Sequence, residues 1–174
     1  MITIILPVYN VYPYLNQCLE SIFAQTYKNI QLIIVNDGST DKSSTIINKY
    51  IQFQKNNKIL NDVIYIKQKN SGLSAARNAA IPYIKGKLTW FIDSDDLLSN
   101  KQSIEKVMCV FSKYPQMSIL FFNVDNLFET SKDIWNKKIR RENKYYNQFQ
   151  IKNINEFLKE VLPTAPVWAY VVKT

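Results

Sequence analysis

Five short apolar runs alternate with helical patterns along the first 123 residues, and this alternation restricts the fold more than any other feature. The runs cover residues 2–6, 30–35, 63–67, 87–92 and 117–123. They are rich in β-branched and aromatic residues. The first two are apolar at every position except Thr3 and Gln31, which is typical of strands covered on both faces. The resulting order β-α-β-α-β-α-β-α-β predicts an α/β fold with a mostly parallel sheet flanked by helices.

Prolines and capping residues predict where these elements begin and end. Pro7 is expected to end the first strand and Pro82 the third helix, because proline has no backbone N–H to donate. Thr40 or Asp41 is expected to cap the second helix. Beyond residue 124 the pattern weakens, leaving a short helix at 153–161 and a strand at 168–172.

Four polar clusters come directly after predicted strands. They are Tyr9-Asn10, Asp37-Gly38-Ser39, Asn70-Ser71-Gly72 and Asp93-Ser94-Asp95-Asp96. Ligands of open α/β sheets bind outside the carboxyl ends of the strands, so four clusters at one edge predict a single site.

The acidic cluster indicates what such a site would bind. Asp93, Asp95 and Asp96 carry three carboxylates within four residues. These repel one another unless protons or a cation neutralise them. Mg²⁺ and Mn²⁺ prefer oxygen ligands and often share them with substrate phosphates, so the cluster favours a phosphorylated donor. The simpler interpretation is a polar strand end that caps the following helix.

Composition excludes several other classes of protein. The chain has no histidine, which excludes a Ser-His-Asp triad. Its three glycines, Gly38, Gly72 and Gly86, lie too far apart to form a G-x-G-x-x-G motif. Cys18 and Cys109 lie in helical apolar patterns and are expected to be buried free thiols. The net charge of +8 suits an anionic ligand, a nucleic acid or an anionic membrane.

Taken in order, the motifs resemble one family. They are Ile5-Leu6-Pro7-Val8-Tyr9-Asn10, Gln25-Thr26-Tyr27, Val35-Asn36-Asp37-Gly38-Ser39-Thr40-Asp41, Asn70-Ser71-Gly72-Leu73-Ser74-Ala75-Ala76-Arg77-Asn78 and Phe91-Ile92-Asp93-Ser94-Asp95-Asp96. This series resembles glycosyltransferase family 2, which has the GT-A nucleotide-sugar fold. Ordered motifs are more specific than any one of them alone.

The resemblance implies a nucleoside site at the first two strands. Asp37 would contact uracil, and Pro7, Val8 and Tyr9 would line the nucleoside, with the Tyr9 ring available for stacking. Arg77 would lie near the nucleotide, at its phosphates or its base. A carboxylate also accepts from guanine N–H groups, so the preference for uracil comes from the resemblance alone.

The resemblance also implies a metal and sugar site. Asp93-Ser94-Asp95 matches the D-x-D motif of the family. Asp95 would coordinate Mn²⁺ or Mg²⁺, Asp93 would contact the ribose or the metal shell, and Asp96 would touch the donor sugar. The metal would bridge the diphosphate and stabilise the leaving nucleoside diphosphate.

These expectations define two regions and one principal function. Residues 1–125 would form the nucleotide-sugar-binding core, and 126–174 the start of an acceptor-side region in a truncated chain. Family members invert the anomeric centre with a carboxylate base, which we expect beyond Thr174. The predicted function is metal-dependent transfer of a sugar, from a UDP donor, to a glycan or lipid-linked acceptor of surface polysaccharide synthesis. The alternative is a non-catalytic nucleotide-sugar-binding module or inactive fragment.

Location and other partners follow from charge and hydropathy. No apolar run is long enough to span a bilayer, which predicts a cytoplasmic protein, with peripheral contact at the inner face of the membrane as a further possibility. The basic and aromatic stretch 132–146 is either a solvated face or a contact with anionic lipid. A nucleic-acid-binding domain is disfavoured, because carboxylates at the sheet edge would oppose phosphates.

Overall fold

A computed structural model describes residues 1–121 and 170–174 of the chain. The strands in this part are β1 (Ile2–Val8), β2 (Ile30–Asp37), β3 (Asp62–Gln68), β4 (Leu88–Phe91), β5 (Ile119–Phe121) and β6 (Tyr170–Lys173). The helices are α1 (Tyr12–Phe23), α2 (Ser43–Asn57), α3 (Leu73–Ala80) and α4 (Ser103–Lys113), and a 3₁₀ turn, Ile81–Tyr83, follows α3.

The described strands form one sheet in the order β3-β2-β1-β4-β6-β5. Strands β1 to β4 are parallel, with Ile2 of β1 in register with Ile30 of β2 and Leu88 of β4. Strand β6 is antiparallel to both β4 and β5. The predicted α/β class and mostly parallel sheet are therefore confirmed.

Helices cover both faces of the sheet. As a result, every residue of β1 and β2 is buried. Alternate residues of a strand point to opposite faces. On one face Ile4 and Leu6 pack in the larger core, with apolar residues of α1, α2 and α4. On the other face Ile5 and Ile33 pack against the small residues of α3, including Ala76. This close packing of α3 brings the loop before it over the ends of β1 and β2.

Pro82 behaves as predicted and Pro7 does not. Helix α3 ends at Ala80, and Pro82 lies in the 3₁₀ turn that follows. Pro7 lies inside β1, in register with Val35, so the prediction that it ends the strand is wrong. The β4 ladder stops at the pair Ile5–Phe91, so β1 has a strand partner on only one side at Pro7. A missing N–H is tolerated in such an edge-like position.

Two smaller expectations are also corrected. The N-cap of helix α2 is Lys42 rather than Thr40 or Asp41, although the Asp41 carboxylate does accept the N–H of Ser43, the first residue of the helix, at 2.9 Å. Cys18 is buried as predicted, but Cys109 is exposed. Helix α4 buries Ile104 and Val107, and Cys109 lies on its other side. The predicted helix at 153–161 and the basic stretch 132–146 lie outside the described residues.

Among the helices of the described part, none combines the length and apolarity needed to cross a membrane.

Candidate functional site

The four polar clusters lie after the carboxyl ends of β1, β2, β3 and β4, at one edge of the sheet. The second and third are packed directly together. Gly38 has a φ of 76°, and a Cβ at this position would stand 2.7 Å from the backbone nitrogen of Asn70. A side chain cannot fit there, so glycine allows the two loops to approach closely.

Asp37 ends β2, and its carboxylate is almost fully buried, with the residue 3% exposed. It accepts three hydrogen bonds, from the backbone N–H groups of Ser71 and Gly72, each at 2.9 Å, and from the Gln68 amide at 2.7 Å. Hydrogen bonds to a carboxylate are stronger than those between neutral groups. Asp37 therefore fixes the loop that leads into α3.

The first two loops are joined by Asn10, which has a left-handed backbone with a φ of 50°. Its side-chain oxygen accepts the backbone N–H groups of Thr40 at 2.8 Å and Asp41 at 3.3 Å. Asp41 in turn accepts the Tyr12 N–H at 2.9 Å. Burial would raise the pKa of Asp41, but the hydrogen bonds from Ser43 and Tyr12 outweigh it and lower the pKa.

The residues predicted to line a nucleoside differ in accessibility. Pro7 and Val8 are buried in β1, and the Val8 side chain packs in the larger core rather than facing a ligand. Tyr9 is 49% exposed at the end of the strand. Its ring is the surface among these three that a planar base can stack on.

Arg77 and Asp93 form an ion pair across the site, with Nη2 of Arg77 2.6 Å from Oδ1 of Asp93. Both side chains are mostly buried, at 13% and 22% exposed. The Nε–H of Arg77 is buried and has no acceptor within the part of the chain that the structure describes. Since buried donors are nearly always paired, this atom is a candidate contact for a ligand.

The acidic turn after β4 presents its three carboxylates differently. Asp93 and Asp96 are partly buried and Asp95 is exposed. The backbone N–H of Asp96 donates to the carbonyl of Asp93 at 3.0 Å, which closes the turn. Burial, together with the nearby charges of Asp95 and Asp93, raises the pKa of Asp96 to about 6. The turn thus carries an unfavourable concentration of negative charge.

The donor set of this turn fits a hard cation in one respect. The turn offers carboxylate oxygens as ligands, and a bound divalent cation would relieve the repulsion between these carboxylates. Within residues 1–121 and 170–174, however, no three Asp, Glu, Cys or His side chains converge as a ready-made metal cage. Mg²⁺ commonly uses one or two carboxylates together with substrate phosphates, so the residues fit a site completed by the donor.

The sequence patterns did not reveal the roles of two residues at these strand ends. Gln68, the third partner of Asp37, looks like an ordinary polar strand end. The Asn10 side chain was noted only as part of a polar cluster, although its bonds hold two loops together. Three of the predicted residues, Asp37, Arg77 and Asp93, are joined through α3, since the loop before it binds Asp37 and Arg77 on it binds Asp93.

Solved structures of similar fold define the class of protein. Residues 1–349 of S. aureus TarS, in complex with UDP-GlcNAc, match 74% of this chain and 37% of TarS 1–349, with 25% identity and a TM-score of 0.62. The mannosyltransferase PcManGT from Pyrobaculum calidifontis, in complex with GDP-Man and Mn²⁺, matches 68% of this chain and 34% of PcManGT, with 20% identity and a TM-score of 0.60. The fold is that of the GT-A glycosyltransferases.

Sequence comparison identifies the family. The model described as "Glycosyl transferase family 2" matches residues 3–165, and the chain belongs to this family. Glycosyltransferase GlyA of Streptococcus pneumoniae is 48% identical over 95 residues, covering 55% of this chain and 13% of GlyA. The minor teichoic acid biosynthesis protein GgaB of Bacillus subtilis is 42% identical over 114 residues, covering 64% of this chain and 12% of GgaB. The chain thus spans about one eighth of these two relatives.

Proposed function

We propose that the chain is the donor-binding part of a metal-dependent, inverting glycosyltransferase that uses a UDP-linked sugar. One observation carries this proposal. Helix α3 links the two halves of the predicted donor site, because the Gly72 N–H before it binds Asp37 and Arg77 on it binds Asp93. In a family 2 chain, this arrangement supports a donor site in which Asp37, the candidate base contact, and Arg77, the candidate diphosphate contact, are connected through one helix.

The nucleoside half of the proposed site lies between the ends of β1 and β2. An ionised carboxylate has about four acceptor positions, and Asp37 uses three, which leaves one for a base N–H. The exposed ring of Tyr9 supplies a stacking face beside it. The UDP-GlcNAc complex of TarS, 25% identical to this chain, supports uridine as the first nucleoside to test.

The diphosphate half lies between Arg77 and the acidic turn. The Nε–H of Arg77, which has no acceptor among the described residues, offers a donor for a phosphate oxygen. Asp95 is the most exposed carboxylate of the turn and Asp93 lies beside it, so these two residues would hold Mn²⁺ or Mg²⁺. When bound, the cation supplies charge stabilisation to the leaving diphosphate. Asp96, next along the turn, would contact the donor sugar. The Mn²⁺ in the PcManGT complex supports a test with this ion.

Transfer with inversion requires a base within hydrogen-bond reach of the acceptor hydroxyl. We assign no residue of this chain to that role. The name of GgaB, a teichoic acid biosynthesis protein, supports a glycan or lipid-linked acceptor of a surface polymer. The net charge of +8 is compatible with work at the cytoplasmic face of an anionic membrane.

Calorimetric titration with UDP, GDP and CDP, each with and without Mn²⁺, tests the proposal. Binding of UDP that strengthens with Mn²⁺, and exceeds that of GDP and CDP, is the expected result. Stronger binding of GDP than of UDP would indicate that the site recognises guanine rather than uracil. No binding of any of the three would contradict a donor site in this chain.

A further inference from the structure

One side of α1 is attached to the segment that follows the acidic turn. Cys18, Ser21 and Gln25 are spaced by three and four residues, so they lie along the same side of the helix and its C-terminal extension. The Cys18 thiol lies 3.9 Å from the carbonyl of Asp93, at the start of the turn. The other two side chains bind further along the same segment.

Ser21 makes the contact nearest to the carboxylates. Its hydroxyl donates to the carbonyl of Cys18 at 2.7 Å and accepts the backbone N–H of Leu98 at 3.1 Å. Leu98 follows Asp96 by two residues. The hydroxyl therefore connects the backbone of α1 to the backbone just after the turn, and Ser21→Ala would remove both bonds.

Gln25 closes the far end of the same segment and is buried, at 1% exposed. Its amide nitrogen donates to the carbonyls of Asn100 at 2.8 Å and Ser21 at 3.0 Å, and its oxygen accepts the Ile104 N–H at 3.1 Å. Thr26 adds a backbone bond to the carbonyl of Lys101 at 2.7 Å. The Gln25-Thr26 motif contributes nothing to the proposed donor site directly, so its bonds need another explanation.

Mutual repulsion of the carboxylates makes external attachment of the turn necessary. Asp93, Asp95 and Asp96 push one another apart, and a single backbone bond closes the turn itself. Arg77 holds the residue at its start, and Ser21 and Gln25 hold the residues after it. These last two attachments use uncharged groups, so they persist whether or not a cation neutralises the carboxylates.

We propose that Ser21 and Gln25 are positioning residues that hold the acidic turn in the geometry in which it binds a divalent cation with the donor diphosphate. This inference rests on the proposed function. Supporting residues around metal ligands commonly change metal affinity tenfold or more when they are replaced. Neither side chain would touch the donor, and both would act through the backbone of residues 98–104.

The test compares Ser21→Ala and Gln25→Met with the matched control Gln54→Met. Gln54 makes a similar clamp at the end of α2, where its amide donates to the carbonyl of Leu60 at 2.8 Å and accepts the Leu60 N–H at 3.0 Å. For each protein, affinity for UDP is measured by calorimetry with Mn²⁺ and with EDTA. Ser21→Thr, which keeps the hydroxyl, serves as the rescue variant.

We expect Ser21→Ala and Gln25→Met to lose about tenfold in the Mn²⁺-dependent gain of UDP affinity. Affinity in EDTA should stay unchanged in both, and Gln54→Met and Ser21→Thr should keep the full gain. A full gain in both α1 variants overturns the positioning role while leaving the donor site intact. No gain in the unmodified chain overturns the metal-dependent donor site, and the positioning role with it. If Gln25→Met does not fold, Ser21→Ala decides the question.

Discussion

The carboxylate of Asp37 accepts the backbone N–H of Gly72 at 2.9 Å, which ties the end of β2 to the start of α3. Gly72 has a φ of 89° and precedes the first residue of the helix. Because Ser71 and Gln68 donate to the same carboxylate, one acidic side chain determines the course of the whole loop. Binding of a ligand at Asp37 would therefore also depend on the loop that the Asp37 carboxylate holds in place.

Replacing Asp37 with asparagine should weaken both folding and nucleoside binding. One of the three donors would then face an amide NH₂, and the charged hydrogen bonds would be lost. We expect a loss of about 1–3 kcal/mol in the free energy of unfolding. Affinity for uridine, measured by calorimetry in EDTA, should fall by a comparable free energy.

Asp62→Asn is the matched control for this prediction. Asp62 also binds a glutamine amide, that of Gln31 at 3.1 Å, and a cation, Lys85 at 2.9 Å. Asp62 is the first residue of β3, so it lies at the amino ends of the parallel strands, whereas Asp37 lies at their carboxyl ends. This variant should lose stability without losing uridine affinity. Equal uridine affinity in Asp37→Asn and the unmodified chain would rule out a base contact for Asp37.

Asp95→Ala should remove the Mn²⁺-dependent part of UDP binding and leave the fold intact. Its side chain is exposed, so its loss opens no cavity. The comparison is the shift in melting temperature that UDP and Mn²⁺ produce together, relative to UDP alone. Glu20→Gln removes one exposed negative charge from α1 and should retain the full shift. A full shift in Asp95→Ala would argue against a metal role for this residue.

The ion pair between Arg77 and Asp93 should contribute to stability in the free protein. Arg77→Met leaves the partly buried carboxylate of Asp93 without its cation, and we expect a loss of about 2–4 kcal/mol in the free energy of unfolding. Asp93→Asn in the Arg77→Met background should cost little more. A double-mutant cycle by urea denaturation measures the coupling, and additive effects would show that the pair is energetically unimportant.

Most of the fold could be predicted from the sequence. The pattern of apolar residues within each segment indicates whether that segment forms a strand or an amphipathic helix. The runs that became β1 and β2 are buried along their whole length. The exceptions are positions where a neighbouring strand or helix determines the local structure. Pro7 remains in β1 because β4 stops pairing before it, and no local pattern records where a neighbouring strand ends.

The candidate site could be predicted residue by residue but not as a set of contacts. Strand order places Asp37, Arg77 and Asp93 at one edge, yet nothing in the sequence shows that Arg77 pairs with Asp93 rather than with solvent. The Asp37 bonds to backbone N–H groups are likewise invisible in residue types. Ser21 escaped notice for the same reason, since a serine on an amphipathic helix resembles a surface residue.

Asp96 should make the stability of the metal-free chain depend on pH. Its folded pKa of about 6 is above the ordinary value of 3.8, because burial and the charges of Asp95 and Asp93 disfavour its ionised form. The stability that Asp96 contributes is therefore fully present below about pH 4 and is lost as the pH rises through 6. Asp96→Asn cannot ionise, so in EDTA its melting temperature should exceed that of the unmodified chain by about 2–4 °C at pH 8, for a penalty discounted to ~1 kcal/mol because the group is only partly buried. The difference should shrink as the pH falls through 6 and approach zero only below about pH 4. Asp62→Asn should behave oppositely, since the hydrogen bond from Lys85 lowers the pKa of Asp62, and the unmodified chain should lose its advantage over this variant as the pH falls below 4. Scanning calorimetry from about pH 2 to pH 8 covers both trends. A pH-independent difference for Asp96→Asn would mean that the turn does not disfavour the ionised form of this carboxylate.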